Sequence, residues 1–299
     1  MPYIDVRGVE HYYEWIRTPA SFQKPVMVFI HGWAGSARYW KSTANASAQF
    51  DCLLYDLRGF GRSRGRSPLP PDKAVESQLP SEAVAIALTY ELEEYAEDLA
   101  AFLKALNLER VYLNAHSMGA SIATLFLNRY PDRVERAILT CSGVFEYDEK
   151  AFTTFHKFGG YVVKVRPKWL GKIPFADRMF MSRFLHRPIP ATERRAFLED
   201  FLLADYEAAL NTIFTSVSKA AAELMPQEFA KLTVPTLLVA GEYDKIIPAR
   251  MGRQAAATND KIEFVLIPNT AHFPMLEDPA TYLQKVQEFL EVSSNPTPA

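Results

Sequence analysis

The sequence has 299 residues, a formal net charge of −2 and 48% hydrophobic residues. This length suits one large α/β domain or two small ones, and this apolar content suits a sizeable buried core. The balanced charge is unlike that of strongly basic nucleic-acid-binding proteins, so we expect no nucleic-acid partner.

The N-terminus and the two cysteines indicate in which cellular compartment the protein is expected. Met1 to Val6 lacks the basic start and apolar run of a signal peptide, and no stretch is apolar for long enough to span a bilayer. Cys52 and Cys141 lie in apolar runs typical of buried strands, which predicts inert core thiols. We therefore expect a cytoplasmic protein in a reducing environment.

Alternating strands and helices organise most of the chain. Tyr3 to Val6 and Glu10 to Ile16 predict a hairpin, and Glu82 to Leu106 is strongly helical, with a break near Leu88 to Tyr90. Further predicted strands are Val26 to Ile30, Cys52 to Leu57, Val111 to Ala115, Val134 to Ser142, Thr236 to Ala240 and Ile262 to Ile267. Further helices are predicted directly after Ser117 and over Arg38 to Ala48, Ala249 to Ala257 and Pro279 to Val292. This alternation predicts a mostly parallel sheet with helices on both faces.

One block, 145–230, interrupts the alternation with several helical segments, many aromatic residues and no clear strand. Because it lies between two core strands, we predict a helical cap over the carboxyl edge of the sheet, where α/β proteins bind ligands. The predicted core is then 1–144 together with 231–292. Within it, Arg64 to Pro80 is rich in proline and charge and predicts an exposed connection. The polar tail 293–299 is predicted to be disordered.

The stretch around Ser117 joins a strand directly to a helix. So tight a turn needs small neighbours, which Ala115 and Gly119 supply. It exposes the serine hydroxyl and points the N–H of Met118 toward incoming negative charge. A plain helix N-cap would also explain this serine, so the interpretation as a nucleophile depends on its partners.

A serine nucleophile needs a histidine base and an acid that orients it. Of six histidines, His272 alone follows the last predicted strand in an open loop. The others lie in the hairpin, in glycine-containing turns or in the cap: His11, His31, His116, His156 and His186. Asp244 follows another strand and is the candidate acid, with Glu146 as its rival. Because the carboxyl ends of parallel strands share one edge, these loops can converge.

Five short motifs, in this order, resemble the α/β-hydrolase fold family over nearly the whole chain. They are His31-Gly32-Trp33, Asp56 to Ser63, His116 to Gly119, Gly241 to Asp244 and His272-Phe273-Pro274. Two positions depart from the family pattern, since Ala115 and Ala271 stand where glycine is usual or frequent. We expect each extra methyl group to distort the site locally without abolishing it. Asp56 and Arg58 are expected to brace their loop, not to take part in chemistry.

The resemblance implies an α/β-hydrolase fold with an inserted helical cap, and it implies roles for particular residues. Ser117 would be the nucleophile, His272 the general base and Asp244 its orienting acid. The backbone N–H groups of Trp33 and Met118 would form the oxyanion hole.

A serine nucleophile is evidence against the dehalogenase and epoxide-hydrolase branches of the family. We predict a serine esterase that forms an acyl-enzyme and needs no metal or cofactor. The aromatic cap favours an apolar or lipid-like carboxylic ester. Alternatives are a C–C bond hydrolase, a thioesterase, a lactonase, or a slow-turnover, receptor-like binder. Candidate pocket residues are Trp33, Phe145 and Phe273, although Trp33 alternatively packs against the cap.

The segment 156–187 is locally basic, with eight lysines and arginines, one acid (Asp177) and interleaved aromatic residues. One interpretation is a solvated helical face whose aromatic residues pack on the sheet. The other is peripheral contact with an anionic membrane, with the cations near headgroups and the aromatic residues at the interface.

Overall fold

The computed structural model describes residues 2–19, 24–64 and 88–291. Most of the connection predicted after Arg64, the start of the helix predicted from Glu82, and the tail 293–299 lie outside the described residues.

An eight-stranded sheet forms the centre of the described chain. Its strands are β1 (Tyr3–Val6), β2 (Val9–Ile16), β3 (Val26–Ile30), β4 (Asp51–Tyr55), β5 (Val111–His116), β6 (Val134–Thr140), β7 (Thr236–Gly241) and β8 (Ile262–Ile267). Their order across the sheet is β1-β2-β4-β3-β5-β6-β7-β8. Strands β3 to β8 are parallel to one another. At one edge β1 and β2 form an antiparallel hairpin, and β2 pairs antiparallel with β4. The predicted mostly parallel sheet is therefore confirmed.

The register brings several strand ends to one edge of the sheet. Ile30 pairs with Ala115, and Thr140 pairs with both His116 and Val239. The loops that follow β3, β5, β6 and β7 consequently begin side by side, as the parallel arrangement requires.

Helices flank the sheet on both faces. Those of the sheet-forming part are α1 (Lys41–Ala46), α2 (Leu92–Ala105), α3 (Met118–Arg129), α9 (Ala249–Ala256), α10 (Pro274–Glu277) and α11 (Pro279–Glu291). The helix predicted from Arg38 instead starts with a 3₁₀ turn, Ala37–Trp40. The Ser36 hydroxyl accepts a hydrogen bond from the backbone N–H of Arg38 there and tightens the first turn.

Alternate residues of β3 explain why both faces are covered. Val28 and Ile30 belong to one buried cluster with side chains of α2 and α3, whereas Met27 and Phe29 belong to a second cluster with side chains of α1 and α11. Successive strand residues point to opposite faces, so a run that is apolar throughout buries both.

Five α-helices lie between β6 and β7, in the block 145–230 that was predicted to form the cap and is named here the helical block. They are α4 (Glu149–Lys164), α5 (Ala176–Met181), α6 (Ala191–Leu203), α7 (Tyr206–Ser216) and α8 (Lys219–Lys231). In the described part of the chain, no helix combines the length and apolar character that a transmembrane span requires.

An ion pair joins helix α6 to the loop after β3. The Arg38 guanidinium donates to Asp200 over 2.9 and 2.7 Å, and the Ser36 hydroxyl donates to the same carboxylate over 2.7 Å. Burial raises the pKa of Asp200 to about 6, although both partners oppose this shift. The helical block is thus fastened to the loop that carries the predicted oxyanion donor Trp33.

Candidate active site

Ser117 stands at the junction of β5 and α3 with a backbone φ of 54° and ψ of −123°. This positive φ is uncommon for a residue with a side chain and marks a strained turn. The serine hydroxyl makes no N-cap hydrogen bond to α3, so the interpretation as a plain helix cap is wrong.

Two glycines allow the β3 loop to lie against this turn. A Cβ atom on Gly119 would stand 2.3 Å from the carbonyl oxygen of His31, and one on Gly32 would stand 3.0 Å from the Cβ of Ser117. The distance at Gly119 is too short for any side chain, so glycine is required there, whereas a side chain at Gly32 would crowd the Ser117 side chain. Ala115 is fully buried in the sheet core, where its methyl group fits.

The structure brings Ser117, His272 and Asp244 together. His272 Nε2 lies 3.0 Å from the Ser117 Oγ, and its Nδ1 lies 2.7 Å from Asp244 Oδ2. Both His272 and Asp244 are buried. The hydroxyl can donate to Nε2 while Nδ1–H donates to the carboxylate, which is the arrangement a nucleophile, base and orienting acid need.

Asp244 is held as an anion. Its Oδ1 accepts hydrogen bonds from the backbone N–H groups of Ile246 (2.7 Å) and Ile247 (3.0 Å). Burial alone would raise the pKa of Asp244, but His272 and these two donors together bring it below the usual value. Its rival, Glu146, is exposed, and Asp244 occupies the position next to the His272 ring.

The backbone of His272 is fixed on both sides. Its N–H donates to the Phe184 carbonyl of the helical block over 2.9 Å, and its carbonyl accepts from His116 Nε2 over 2.7 Å. His116 Nδ1 in turn lies 3.0 Å from the Tyr39 hydroxyl, which accepts from the N–H of Gly32. Burial lowers the pKa of His116 well below its usual range, so the ring stays neutral, with Nε2 protonated and Nδ1 accepting. His116 therefore has a structural role.

A buried carboxylate that sequence analysis missed holds the same loop. Glu277 accepts from the N–H groups of Ala271 (2.9 Å) and Phe273 (3.3 Å) with Oε1, and from those of His186 (2.7 Å) and Arg187 (2.8 Å) with Oε2. One side chain therefore ties the His272 loop to the helical block.

Glu277→Gln should lower kcat about 10- to 100-fold with little change in KM. The amide keeps one acceptor oxygen but turns an NH₂ group toward two backbone donors, which loosens the loop that aims His272, and small misplacements of this kind are costly. Steady-state kinetics on a soluble ester measures the effect. Glu288→Gln, on the exposed side of α11, is the matched control. An unchanged kcat in Glu277→Gln would show that this carboxylate does not position the base.

The two predicted oxyanion donors belong to segments that meet at the turn of Ser117. Met118 is the first residue of α3, so its N–H has no acceptor within the helix. Among the described residues, no acceptor is assigned to the N–H of Trp33. Trp33 follows Gly32, where an added Cβ would lie 3.0 Å from the Ser117 Cβ. The Trp33 indole, by contrast, donates to the Ala209 carbonyl of α7 over 2.9 Å and contacts the Phe201 ring. The side chain thus packs against the helical block.

Trp33→Pro removes the proposed backbone donor and should lower kcat about 10²–10³-fold. Trp33→Ala keeps the N–H but loses the contacts with α7, so it should change KM and chain-length preference more than kcat. The comparison uses a small activated ester and circular dichroism to verify folding. Equal losses of kcat in both variants would assign the effect to the indole.

Aromatic rings lie beside His272. Phe273, a predicted pocket residue, is buried and packs on the rings of His116 and Phe197. Phe145, the other candidate, is half-buried, and no contact with another ring is assigned to it within the described chain. Sequence analysis did not single out Phe184, whose ring centroid lies 6.1 Å from that of His272. Its position in the middle of an irregular aromatic segment gave no signal.

The remaining conspicuous residues near the site are structural. His31 accepts from the N–H of Leu57 through Nε2, and its Nδ1–H donates to the Gly32 carbonyl. Asp56 accepts from the N–H groups of Ala37 and Arg62. Arg58 pairs with the buried Asp98 over 2.8 Å. The bracing roles predicted for Asp56 and Arg58 are confirmed, and His31 also makes structural hydrogen bonds.

One group of potential metal ligands lies here, formed by His116, Cys141 and His272. The ring nitrogens of both histidines already have hydrogen-bond partners: those of His116 are hydrogen-bonded, and those of His272 face Ser117 and Asp244. Burial raises the pKa of the Cys141 thiol well above its usual value, which opposes the thiolate that a metal requires. This donor set does not fit a metal site.

The fold agrees with comparison to known proteins. The model of the alpha/beta hydrolase fold family matches residues 25–279. The chain therefore belongs to the alpha/beta hydrolase fold family, as the five motifs indicated.

Individual relatives are distant. Protein ABHD8 of Homo sapiens is 26% identical over 279 residues, which cover 91% of this chain and 56% of that protein. The chain thus spans about half the length of the curated relatives it matches first. A thermophilic esterase from Thermogutta terrifontis has a TM-score of 0.71 at 21% identity, covering 97% of this chain and 98% of that one. The enol-lactonase from Burkholderia xenovorans has a TM-score of 0.75 at 19% identity, covering 97% and 100%.

Proposed function

We propose that the chain is a serine hydrolase that cleaves an apolar or lipid-like carboxylic ester through an acyl-enzyme intermediate. The observation that carries the proposal is the set of contacts in which His272 bridges the Ser117 hydroxyl and the ionised Asp244. An uninvolved serine has no reason to sit in a strained turn with its hydroxyl on a buried histidine.

In the proposed mechanism, His272 Nε2 takes the hydroxyl proton as the Ser117 Oγ attacks the ester carbonyl. Asp244 stabilises the imidazolium that forms, and the N–H groups of Trp33 and Met118 hold the oxyanion. His272 then gives the proton to the alcohol oxygen as that oxygen departs, and the acyl group stays bound to Ser117. A water molecule, deprotonated by His272, attacks the acyl carbonyl. The bond to Ser117 breaks, the acid is released, and His272 returns the proton to the Ser117 Oγ.

The rings around the site support an apolar acyl group. Phe184 and Phe273 lie against His272, and Phe180 and Phe201 stack on each other at 4.9 Å between centroids. A pocket lined by such rings favours a hydrocarbon acyl chain, because binding buries the apolar area of the chain. Esterases and a lactonase are among the structural neighbours. Both act on an acyl–oxygen bond, so a cyclic ester is the second substrate class that we test.

Two measurements on the purified chain test the proposal. A fluorophosphonate probe should label it covalently, and p-nitrophenyl esters of increasing acyl length should be hydrolysed, with kcat/KM rising from the acetate to medium-chain esters. A parallel panel contains a lactone, a thioester and a C–C bond substrate. Labelling without turnover of any substrate would favour a slow-turnover, receptor-like member. Absence of both labelling and turnover would overturn the proposal.

A further inference from the structure

The outer side of the helical block carries most of the exposed large apolar side chains of the described chain. Eleven of thirteen lie between residues 147 and 214, and the other two are Tyr3 and Tyr243. The most exposed are clustered between 158 and 179: Phe158, Tyr161, Trp169, Phe175 and Met179, which are 62–76% exposed. Exposed apolar side chains concentrated in this way mark an interaction surface.

These residues face away from the core because the inner sides of the same elements are already packed. Val162 of α4, Leu170 of the 3₁₀ turn Lys168–Lys172 and Ala176 of α5 all contact one buried cluster with Ala34 of the β3 loop. The outer sides of these three elements therefore remain in contact with water.

Phe175 is held out at particular cost. It is 76% exposed and adopts a left-handed backbone conformation, with φ of 64°. A bulky residue rarely adopts this conformation. In water the Phe175 ring stays exposed, so no apolar burial offsets the backbone strain. Insertion of the ring into an apolar medium would supply that burial.

The same surface is strongly cationic. Residues 149–183 contain two acids: Glu149, at the start of α4, and Asp177, which is half-buried and paired with Arg194 over 3.0 Å. Arg166 turns inward to the Phe201 and Ala204 carbonyls. The exposed cations are Lys150, Lys157, Lys164, Lys168, Lys172, Arg178 and Arg183. Within the described chain, none of these seven forms an ion pair.

We propose that this surface, named here the docking face and formed by the outer sides of α4, the turn 168–172 and α5, attaches the protein to an anionic lipid bilayer. Lysines and arginines then lie near the headgroups, while the aromatic side chains enter the interfacial layer. Charge decides against a second copy of the chain, since a two-fold contact would bring two sets of seven cations together.

Helix α5 connects the docking face to the aromatic rings beside His272. Helix α5 exposes Arg178 and Met179 on the face, whereas its Phe180 contacts Phe184, the ring next to His272. A lipid-like ester would thus pass from the bilayer to the serine across one short helix. The attachment itself does not depend on the proposed hydrolysis.

Vesicle co-sedimentation tests the attachment, and the Ser117→Ala chain is used so that the lipids stay intact. Phosphatidylcholine vesicles containing about one third phosphatidylserine should bind it at low salt and release it at about 1 M salt, where the Debye length is only about 3 Å. Pure phosphatidylcholine vesicles should bind it weakly.

Lys157→Glu/Lys164→Glu should lower the affinity at least about tenfold, since each cation near such a surface contributes measurably. Phe158→Ser/Phe175→Ser should lower binding as well. Lys104→Glu/Lys261→Glu makes the same charge change at exposed positions near the opposite edge of the sheet and should leave binding unchanged. With Ser117 restored, all three variants should hydrolyse a soluble short-chain ester at the parental rate, which verifies folding.

No binding to anionic vesicles at low salt would overturn the proposal, as would equal losses in the docking-face and control variants. Loss of a concentration-dependent dimer in Phe158→Ser/Phe175→Ser, without vesicle binding by the parent, would assign the face to a second copy instead. Because binding is measured without turnover, these outcomes are separate from failure of the proposed hydrolase function.

Discussion

Replacing Ser117 with alanine is expected to lower kcat for ester hydrolysis by about 10⁵–10⁶-fold and to abolish labelling by a fluorophosphonate. The substitution removes the atom that would attack the carbonyl and receive the probe. The turn between β5 and α3 does not depend on this hydroxyl, because the only hydrogen bond assigned to it within the described chain is the one with His272. The unfolding midpoint should therefore move little.

Ser121→Ala is the matched control for this experiment. Ser121 lies one turn further along α3 and is half-buried like Ser117, so it tests the loss of a hydroxyl without loss of the proposed nucleophile. It should retain activity and labelling. Labelling that persists in Ser117→Ala, located by peptide mapping at another residue, would remove Ser117 from its assigned role.

Asp244→Asn is expected to lower kcat about 10⁴-fold. The Asn oxygen can still accept from the N–H groups of Ile246 and Ile247, and its NH₂ group then faces His272 Nδ1. That contact favours the tautomer with the proton on Nε2, which can no longer accept the Ser117 proton. Stopped-flow or steady-state kinetics with a p-nitrophenyl ester measures the loss, and circular dichroism checks the fold.

Glu146→Gln removes the charge of the rival acid and should change kcat by less than about twofold, since an exposed carboxylate contributes little at a distance. A large loss in this variant, together with an active Asp244→Asn, would mean that the acid belongs to the loop after β6. The pair of variants thus separates the two positions that the sequence left open.

The strands and the site-bearing loops were predictable because their causes are local. The run from Val26 to Ile30 is apolar at every position, and β3 has these bounds. Ser117 was found through the abrupt change from strand to helix, and His272 and Asp244 through their places after strands. Each signal spans a few neighbouring residues, which is the range over which sequence patterns report structure.

The residues that position the site were not predictable in the same way. Glu277 looks like an ordinary acid at the end of a short helix, yet its four partners come from two distant segments, 186–187 and 271–273. Tyr39 contacts His116 across 77 positions. Such contacts depend on how the loops pack, and no local pattern encodes them.

The basic segment shows a different limit. The sequence presents Arg166 and Lys164 as equivalent cations, two positions apart. In the structure Arg166 binds backbone carbonyls of the helical block, whereas Lys164 is exposed. Only an exposed cation such as Lys164 is available to a partner. Whether a cation is exposed depends on the direction of its backbone, not on its residue type.

The hydrogen bond from the His272 N–H to the Phe184 carbonyl has a consequence for redesign. The helical block supplies the backbone acceptor for the loop that carries His272. It therefore cannot be exchanged as a unit that sets substrate preference alone. Transplanting the equivalent segment from a homologue would alter turnover itself unless the donor segment also presents a carbonyl at this point. Library designs that vary acyl preference should accordingly keep the main chain from 184 to 187 and diversify the rings at 180, 197 and 201.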